Sequence, residues 1–166
     1  IKPDLETYRV LPWADKTARL LCEPFFQDGT PALAAPRLVA RRQLEALAAT
    51  GYGLYSGFEY ECYFVDAATR EAPFPGIQIF STLRNSFNEA LVYQILRQMS
   101  AIGVDIITSN AEYGPGQMEI NFGPASGITA ADDAFTFKNG LKEIAQRAGR
   151  MASFMTKPYA DQSANG

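Results

Sequence analysis

The chain has 166 residues, 47% hydrophobic and 20% charged, with fifteen Lys and Arg against eighteen Asp and Glu for a net charge of −3. That is apolar material for one sizeable core without disulfide staples, and it leaves no basic excess for a nucleic-acid footprint. Histidine is absent, which excludes imidazole acid–base chemistry, Ser–His triads and His-ligated zinc within these residues.

Thr17 to Phe26 is apolar and mixed and predicts a strand, followed by a turn at Gln27–Pro31. Pro36 opens a helix that carries Leu38, Val39, Leu44 and Leu47 and ends at Gly51. Leu54 to Asp66 alternates and predicts a strand. Residues 67–79 hold Pro73, Pro75 and Gly76 and predict a loop, with room for a short edge strand. Ser81 to Ala101 sets Phe87, Leu91, Ile95, Leu96 and Met99 at helical spacing, with Gly103 as the stop. Short strands are predicted at Val104–Thr108 and Gln117–Phe122, a long helix from Ile128 to about Arg147, and a last strand at Ala152–Met155. Strands mixed with long helices fit either an α+β or an α/β class. Cys22 and Cys62, in apolar surroundings, read as two reduced core cysteines rather than a disulfide. No apolar run approaches the ~18 residues of a membrane helix, and the start IKPDLETYRV lacks a signal-peptide layout. The missing initial Met and the closing SANG read as the ends of an excerpt, the latter as a flexible stretch.

Two segments carry chemistry. In Gly57-Phe58-Glu59-Tyr60-Glu61-Cys62-Tyr63-Phe64, strand alternation puts Phe58, Tyr60, Cys62 and Phe64 on one face and Glu59, Glu61 and Tyr63 on the other. Taken alone, this reads first as a half-buried strand with a solvated acidic face. In Glu112-Tyr113-Gly114-Pro115-Gly116-Gln117-Met118-Glu119-Ile120-Asn121-Phe122, the Gly-Pro-Gly forces a sharp turn. Gln117, Glu119 and Asn121 then share a face, and Glu112 before the turn and Glu119 after it can reach one spot. A surface hairpin with scattered acids also accommodates this segment. If Glu59, Glu61, Glu112 and Glu119 converge, repulsion and desolvation demand a cation. Oxygen-only ligands select Mg²⁺ or Mn²⁺ over zinc. Without these four, fifteen bases face fourteen acids and the net charge is +1. Metal held this way most often serves phosphoryl transfer.

These same residues resemble the glutamine synthetase superfamily. GFEYECYF resembles its strand GPEPEFF, and AEYGPGQMEINF resembles HEVAPGQHEINF. Pro12-Trp13, Thr17–Cys22 and Pro36-Arg37 resemble the segments that come earlier. Thr129-Ala130-Ala131-Asp132, Phe135-Thr136-Phe137-Lys138, Lys142-Glu143-Ile144-Ala145 and Phe154-Met155-Thr156-Lys157-Pro158 resemble its TAAD, TFK, KEIA and FMPKP stretches, in the same order. The resemblance implies an α+β fold with a curved, largely antiparallel sheet and flanking helices. Residues 1–166 would be the N-terminal part of a catalytic domain, with a β-grasp domain before Ile1 and the C-terminal half after Gly166. Glu61, Glu112 and Glu119 match the carboxylates of the first metal site, and Glu59 one ligand of the second, whose His and other Glu would follow Gly166. The implied activity is an ATP-dependent carboxylate–amine ligase that forms a γ-glutamyl amide through a γ-glutamyl phosphate, with Mg²⁺ or Mn²⁺ as cofactor and ATP as substrate. The implied setting is cytoplasmic nitrogen metabolism, in a ring-shaped homo-oligomer without nucleic-acid or membrane partners. The excerpt alone is expected to expose apolar strand faces and to be inactive.

Departures from the family pattern bear on substrate. Its His pair before the metal Glu is Asn110-Ala111 here, an expected acid is Ile107, and its NGSGMH loop reads Ser163-Ala164-Asn165-Gly166. Ser163 then replaces the Asn that holds the glutamate main chain, and Asn110-Ala111 opens space. This wording is closer to γ-glutamyl ligases of organic amines, or to a catalytically silent lengsin-like structural relative, than to the ammonia-using enzyme. Trp13, Tyr60 and Tyr63 are expected in packing roles, Arg41-Arg42 on a helix face, and Lys157 in a salt bridge or solvent.

Overall fold

Residues 1–73, 76, 79–87 and 89–166 are described by the computed structural model, with the side chains of all of these except 84, 85 and 87. In chain order the elements are β1 (Lys2–Val10), β2 (Ala18–Glu23), α1 (Pro36–Ala49), β3 (Tyr55–Ser56), β4 (Glu59–Asp66), α2 (Thr82–Phe87), α3 (Glu89–Ala101), β5 (Ile106–Ala111), β6 (Gln117–Phe122), β7 (Ala125–Ser126), α4 (Thr129–Arg147) and β8 (Arg150–Ser153). The main sheet has the order β5-β6-β4-β8, and β1-β2 and β3-β7 form two small ladders. Every paired strand is antiparallel. The class is therefore α+β, which the order of elements in the sequence left undecided.

One face of the main sheet makes the core. Cys62 and Phe64 of β4, and Met118, Ile120 and Phe122 of β6, are buried with Val92, Ile95 and Met99 of α3 and Phe137, Leu141, Ile144 and Ala145 of α4. On α4 these positions recur every three or four residues, which gives the helix one apolar stripe. Phe137 meets Phe122 edge to face, with ring centroids 4.6 Å apart. Trp13 is buried as expected, packs against α4 at Gly140, and donates from Nε1 to Glu143 at 2.6 Å. Glu143 also pairs with Arg19 of β2.

Several elements differ from the expectation. β1 was not legible, because its exposed and half-buried residues do not alternate. The ladder is irregular between Asp4 and Arg9. There Thr7 Oγ1 accepts the Leu21 amide and donates to the Asp4 carbonyl. The strand expected at Leu54–Asp66 breaks at Gly57, where a Cβ would stand 3.1 Å from the Phe122 carbonyl oxygen. β3 turns away there to pair with β7. The helix expected at Ser81–Ala101 is matched by α2 and α3, and Asn88, between their described ranges, lies outside the described residues. The side chain of Phe87 lies outside them too, as does Pro75 of the expected loop. The strand expected at Val104–Thr108 is Ile106–Ala111, and the last is Arg150–Ser153 rather than Ala152–Met155. Both cysteines are free, but only Cys62 is in the core; Cys22 is exposed on β2. Burial pushes the Cys62 thiol well above the ordinary range.

Candidate metal centre

The opposite face of the main sheet is polar, and strand register assembles it. Glu61 of β4 stands directly across from Glu119 of β6, and Glu59 across from Asn121. On the other side of β6, Asn110 of β5 stands across from Glu119 and Thr108 from Asn121. Directly opposed residues point to the same face, so all six side chains share it. Period-2 alternation sends Cys62, Met118 and Ile120 to the core and these polar residues away from it.

Glu112 enters from the turn between β5 and β6. The turn closes with the Glu112 amide donating to the Gln117 carbonyl and the Gln117 amide to the Gly114 carbonyl, both at 2.9 Å. Its glycines are required by space. A Cβ on Gly114 would stand 2.0 Å from the Tyr63 hydroxyl. One on Gly116, whose φ is +76°, would stand 2.5 Å from the Phe64 carbonyl oxygen. The tight turn carries Glu112 back over the sheet. One oxygen from each of Glu61, Glu112 and Glu119 then lies within 4.8 Å of the other two. Glu59 is on the same face but outside that group. It is exposed, and strand geometry sets it about 6.7 Å along β4 from Glu61.

The group is partly buried and neutral donors hold it. Glu112 is 7% exposed. Burial is the main cause that pushes its carboxyl above the usual range, followed by the hydrogen bond with Glu119 and the charges of Glu61 and Glu119. Asn110 Nδ2 donates to Glu112 Oε1 at 2.9 Å and approaches Glu119 Oε2 at 3.5 Å. Gln117 Nε2 donates to Glu61 Oε2 at 3.0 Å, and the Gly166 amide donates to the same oxygen at 2.9 Å. These residues fit a hard divalent cation. Among the described residues no basic side chain hydrogen-bonds to the three carboxylates, and every ligand atom they offer is oxygen.

The remaining expectations divide. Only Asn110 of the Asn110-Ala111 pair faces this site. Ala111 is 1% exposed and packs in the core opposite Met118, because adjacent strand residues point to opposite faces. It opens no space beside the carboxylates. Residues 163–166 are not loose: Asn165 is 7% exposed and hydrogen-bonded on several sides. Tyr60 packs against the core as expected. Tyr63 is buried but also donates from its hydroxyl to the Ser163 carbonyl at 2.7 Å. Lys157 is exposed to solvent, one of the two expected settings, and donates to the Gln162 carbonyl at 2.6 Å. Arg41 sits on α1 as expected, and it is paired with Asp4 and Glu23. Sequence reasoning did not find the amide partners Asn110, Gln117 and Asn165. The signals were the alternation that put Gln117 on the acidic face and the departures from the family pattern at Asn110 and in residues 163–166, none of which named a hydrogen-bond partner of the carboxylates.

Residues 33–166 match the family model described as glutamine synthetase, catalytic domain. The chain belongs to that family. It is 38% identical to human lengsin over 158 residues, covering 93% of the chain and 30% of lengsin. It is 34% identical to glutamate–isopropylamine ligase of a Pseudomonas species, covering 97% of the chain and 37% of the ligase. It is also 34% identical to γ-glutamylethanolamide synthetase of Streptomyces coelicolor, covering 95% of the chain and 36% of that protein. Among solved structures, the one described as apo GmaS without ligand superposes with a TM-score of 0.90 at 27% identity, over 99% of this chain and 40% of that one. The chain thus spans about a third of the length of the curated relatives it matches.

Proposed function

We propose that the full-length protein is an ATP-dependent carboxylate–amine ligase that makes a γ-glutamyl amide, with an organic amine favoured over ammonia as acceptor. The observation that carries this reading is the convergence of Glu61, Glu112 and Glu119 within 4.8 Å on the open face of a glutamine synthetase-type sheet. Those three residues would hold one Mg²⁺ or Mn²⁺, and Glu59 would contribute to a second. Such cations, when bound, neutralise the phosphate oxygens and the acid substrate so that two anions can meet.

In the proposed reaction the γ-phosphoryl group of ATP passes to an oxygen of the substrate carboxylate and ADP leaves. The amine nitrogen then attacks the acyl carbon, loses a proton, and phosphate departs. The chain's own residues orient the site. Asn110 holds Glu112, and Gln117 and the Gly166 amide hold Glu61. The preference for an organic amine draws on the two relatives named for isopropylamine and ethanolamide products. Asn110 adds to it, standing where the family resemblance expects an imidazole, as does Ser163 in place of an Asn. Two unpaired cysteines suit a cytoplasmic protein, and a ring-shaped homo-oligomer is the proposed assembly.

The test is ATP-dependent phosphate release by the full-length protein with glutamate, comparing ammonia, isopropylamine, ethanolamine and putrescine. The expected result is a higher kcat/KM for at least one organic amine than for ammonia. Ammonia ahead by about ten-fold would remove the acceptor preference and leave the ligase standing. No phosphate release with any amine, from a protein that binds Mn²⁺, would favour a catalytically silent member of the family.

A further inference from the structure

Gln117 is 2% exposed, yet its side-chain amide meets four groups. Its Oε1 accepts the Gly114 amide at 2.9 Å. Its Nε2 faces Glu61 Oε2 at 3.0 Å, the Ala164 carbonyl at 2.9 Å and Asn165 Oδ1 at 2.9 Å. The same Glu61 oxygen accepts the Gly166 amide. Asn165 is anchored in turn: Nδ2 donates to the Met155 and Ser153 carbonyls, and its backbone amide to Thr156. Tyr63 holds the Ser163 carbonyl. The segment 163–166 is therefore tied to one metal-facing carboxylate twice, directly by the Gly166 amide and through the buried side-chain amide of Gln117.

Undocking the segment would leave Gln117 Nε2 without two of its three acceptors and Glu61 without one of its two donors. Buried amides left unpaired are expensive, so the docked state is favoured while Gln117 is in place. Two donors on Oε2 also fix the rotation of the Glu61 carboxylate and leave Oε1 to a cation. A cation that holds Glu61 in that rotation holds the acceptor on which Gln117 and Gly166 converge.

We propose that Gln117 is a positioning residue that fastens residues 163–166 to Glu61, so that a divalent cation at Glu61, Glu112 and Glu119 and the docked segment stabilise each other. The coupling rests on the metal reading proposed above; the fastening does not. Because such coupling is reciprocal at equilibrium, the factor by which the cation lowers the segment's opening equilibrium equals the factor by which freeing the segment weakens the cation.

The test is hydrogen–deuterium exchange of the full-length protein, with Mn²⁺ as the probe, in the wild type, Gln117→Met and Asn165→Ala. Without metal, peptides covering 163–166 should exchange about ten-fold faster in both variants, while those of α4 stay unchanged. Saturating Mn²⁺ should slow the segment in the wild type. Mn²⁺ affinity should fall by the same factor in Asn165→Ala, whose side chain touches none of the three carboxylates. A merely structural role in the sheet would not move that affinity. Wild-type protection retained in both variants would overturn the fastening, and unchanged Mn²⁺ affinity in Asn165→Ala would overturn the coupling. Should both variants fail to fold, the wild type decides: unprotected amides at 165 and 166 would overturn the fastening, and protected ones support it. A wild type that binds no Mn²⁺ would end the coupling together with the metal reading, and the metal-free exchange would still decide the fastening.

Discussion

Glu112 shows what assembling like charges costs and what relieves it. Its carboxyl is held above the usual range by burial and by its two acidic neighbours. The unfolded chain gives up this proton at lower pH than the folded one. Stability is therefore lost as pH rises from the ordinary carboxylate range through the elevated value, and the cost is complete above it. Glu112→Gln keeps the shape and removes the charge. In the presence of a chelator, the variant should unfold at a higher urea concentration than the wild type at pH 7, with the advantage shrinking as pH falls toward the ordinary carboxylate range. Saturating Mn²⁺ should reverse the order, since the variant is expected to bind it about ten-fold more weakly or worse. Urea midpoints across pH with chelator, then with Mn²⁺, check both halves. A variant no more stable than wild type in chelator would mean the three acids do not strain the fold.

Among the elements, α1 is attached to the rest by charge more than by apolar burial, since Leu38 is its only fully buried residue. Arg37 grips Asp132 of α4 with two bonds of 2.8 Å and reaches Glu23 of β2 and Asp4 of β1 at 2.6 Å each. Arg41 repeats the contacts to Glu23 and Asp4. The guanidinium forks bridge three elements in a way a lysine cannot copy. Arg37→Met should cost about 2–4 kcal/mol, because three half-buried acids lose their shared cation, and Arg37→Lys should recover only part of it. Denaturant midpoints of the two variants measure this. The Arg37 hydrogen bond is the first cause that holds Asp4 below its usual range. That contribution is present at neutral pH and is lost as pH falls through the lowered value. The gap between wild type and Arg37→Met should therefore close in acid. A gap that persists at low pH would assign the effect to packing.

For the molecule as a whole, the notable surface is apolar. Leu5, Tyr8 and Val10 of β1 and Ile107 on the edge strand β5 are exposed. The chain spans about a third of the curated relatives it matches, and exposed apolar strand faces of this kind mark surfaces that expect cover. The 166-residue polypeptide by itself should bind a hydrophobic dye strongly and release no phosphate from ATP with any amine, in contrast to the release expected of the full-length protein under the proposed function. Turnover by the isolated polypeptide would show that the site is complete within these residues.

The sequence by itself determined the two faces of β4 and β6. Alternation is a local property of an extended chain, so Cys62, Phe64, Met118 and Ile120 had to oppose Glu61, Gln117 and Glu119. The long helix α4 and the Gly-Pro-Gly turn were legible for the same local reason, and the ordered motifs carry the family resemblance within the sequence itself. Only tertiary structure decided the rest. Whether Glu61 and Glu119 stand side by side depends on the register between strands 58 residues apart, which no local pattern encodes. The split of the 54–66 strand at Gly57 came from the approach of the Phe122 carbonyl. The irregular β1 was visible only once β2 lay beside it. Docking of residues 163–166 on Gln117 and Glu61 depends on hydrogen bonds between groups far apart in the chain. Those bonds form only once folding has brought the distant partners together, so no local pattern announces them.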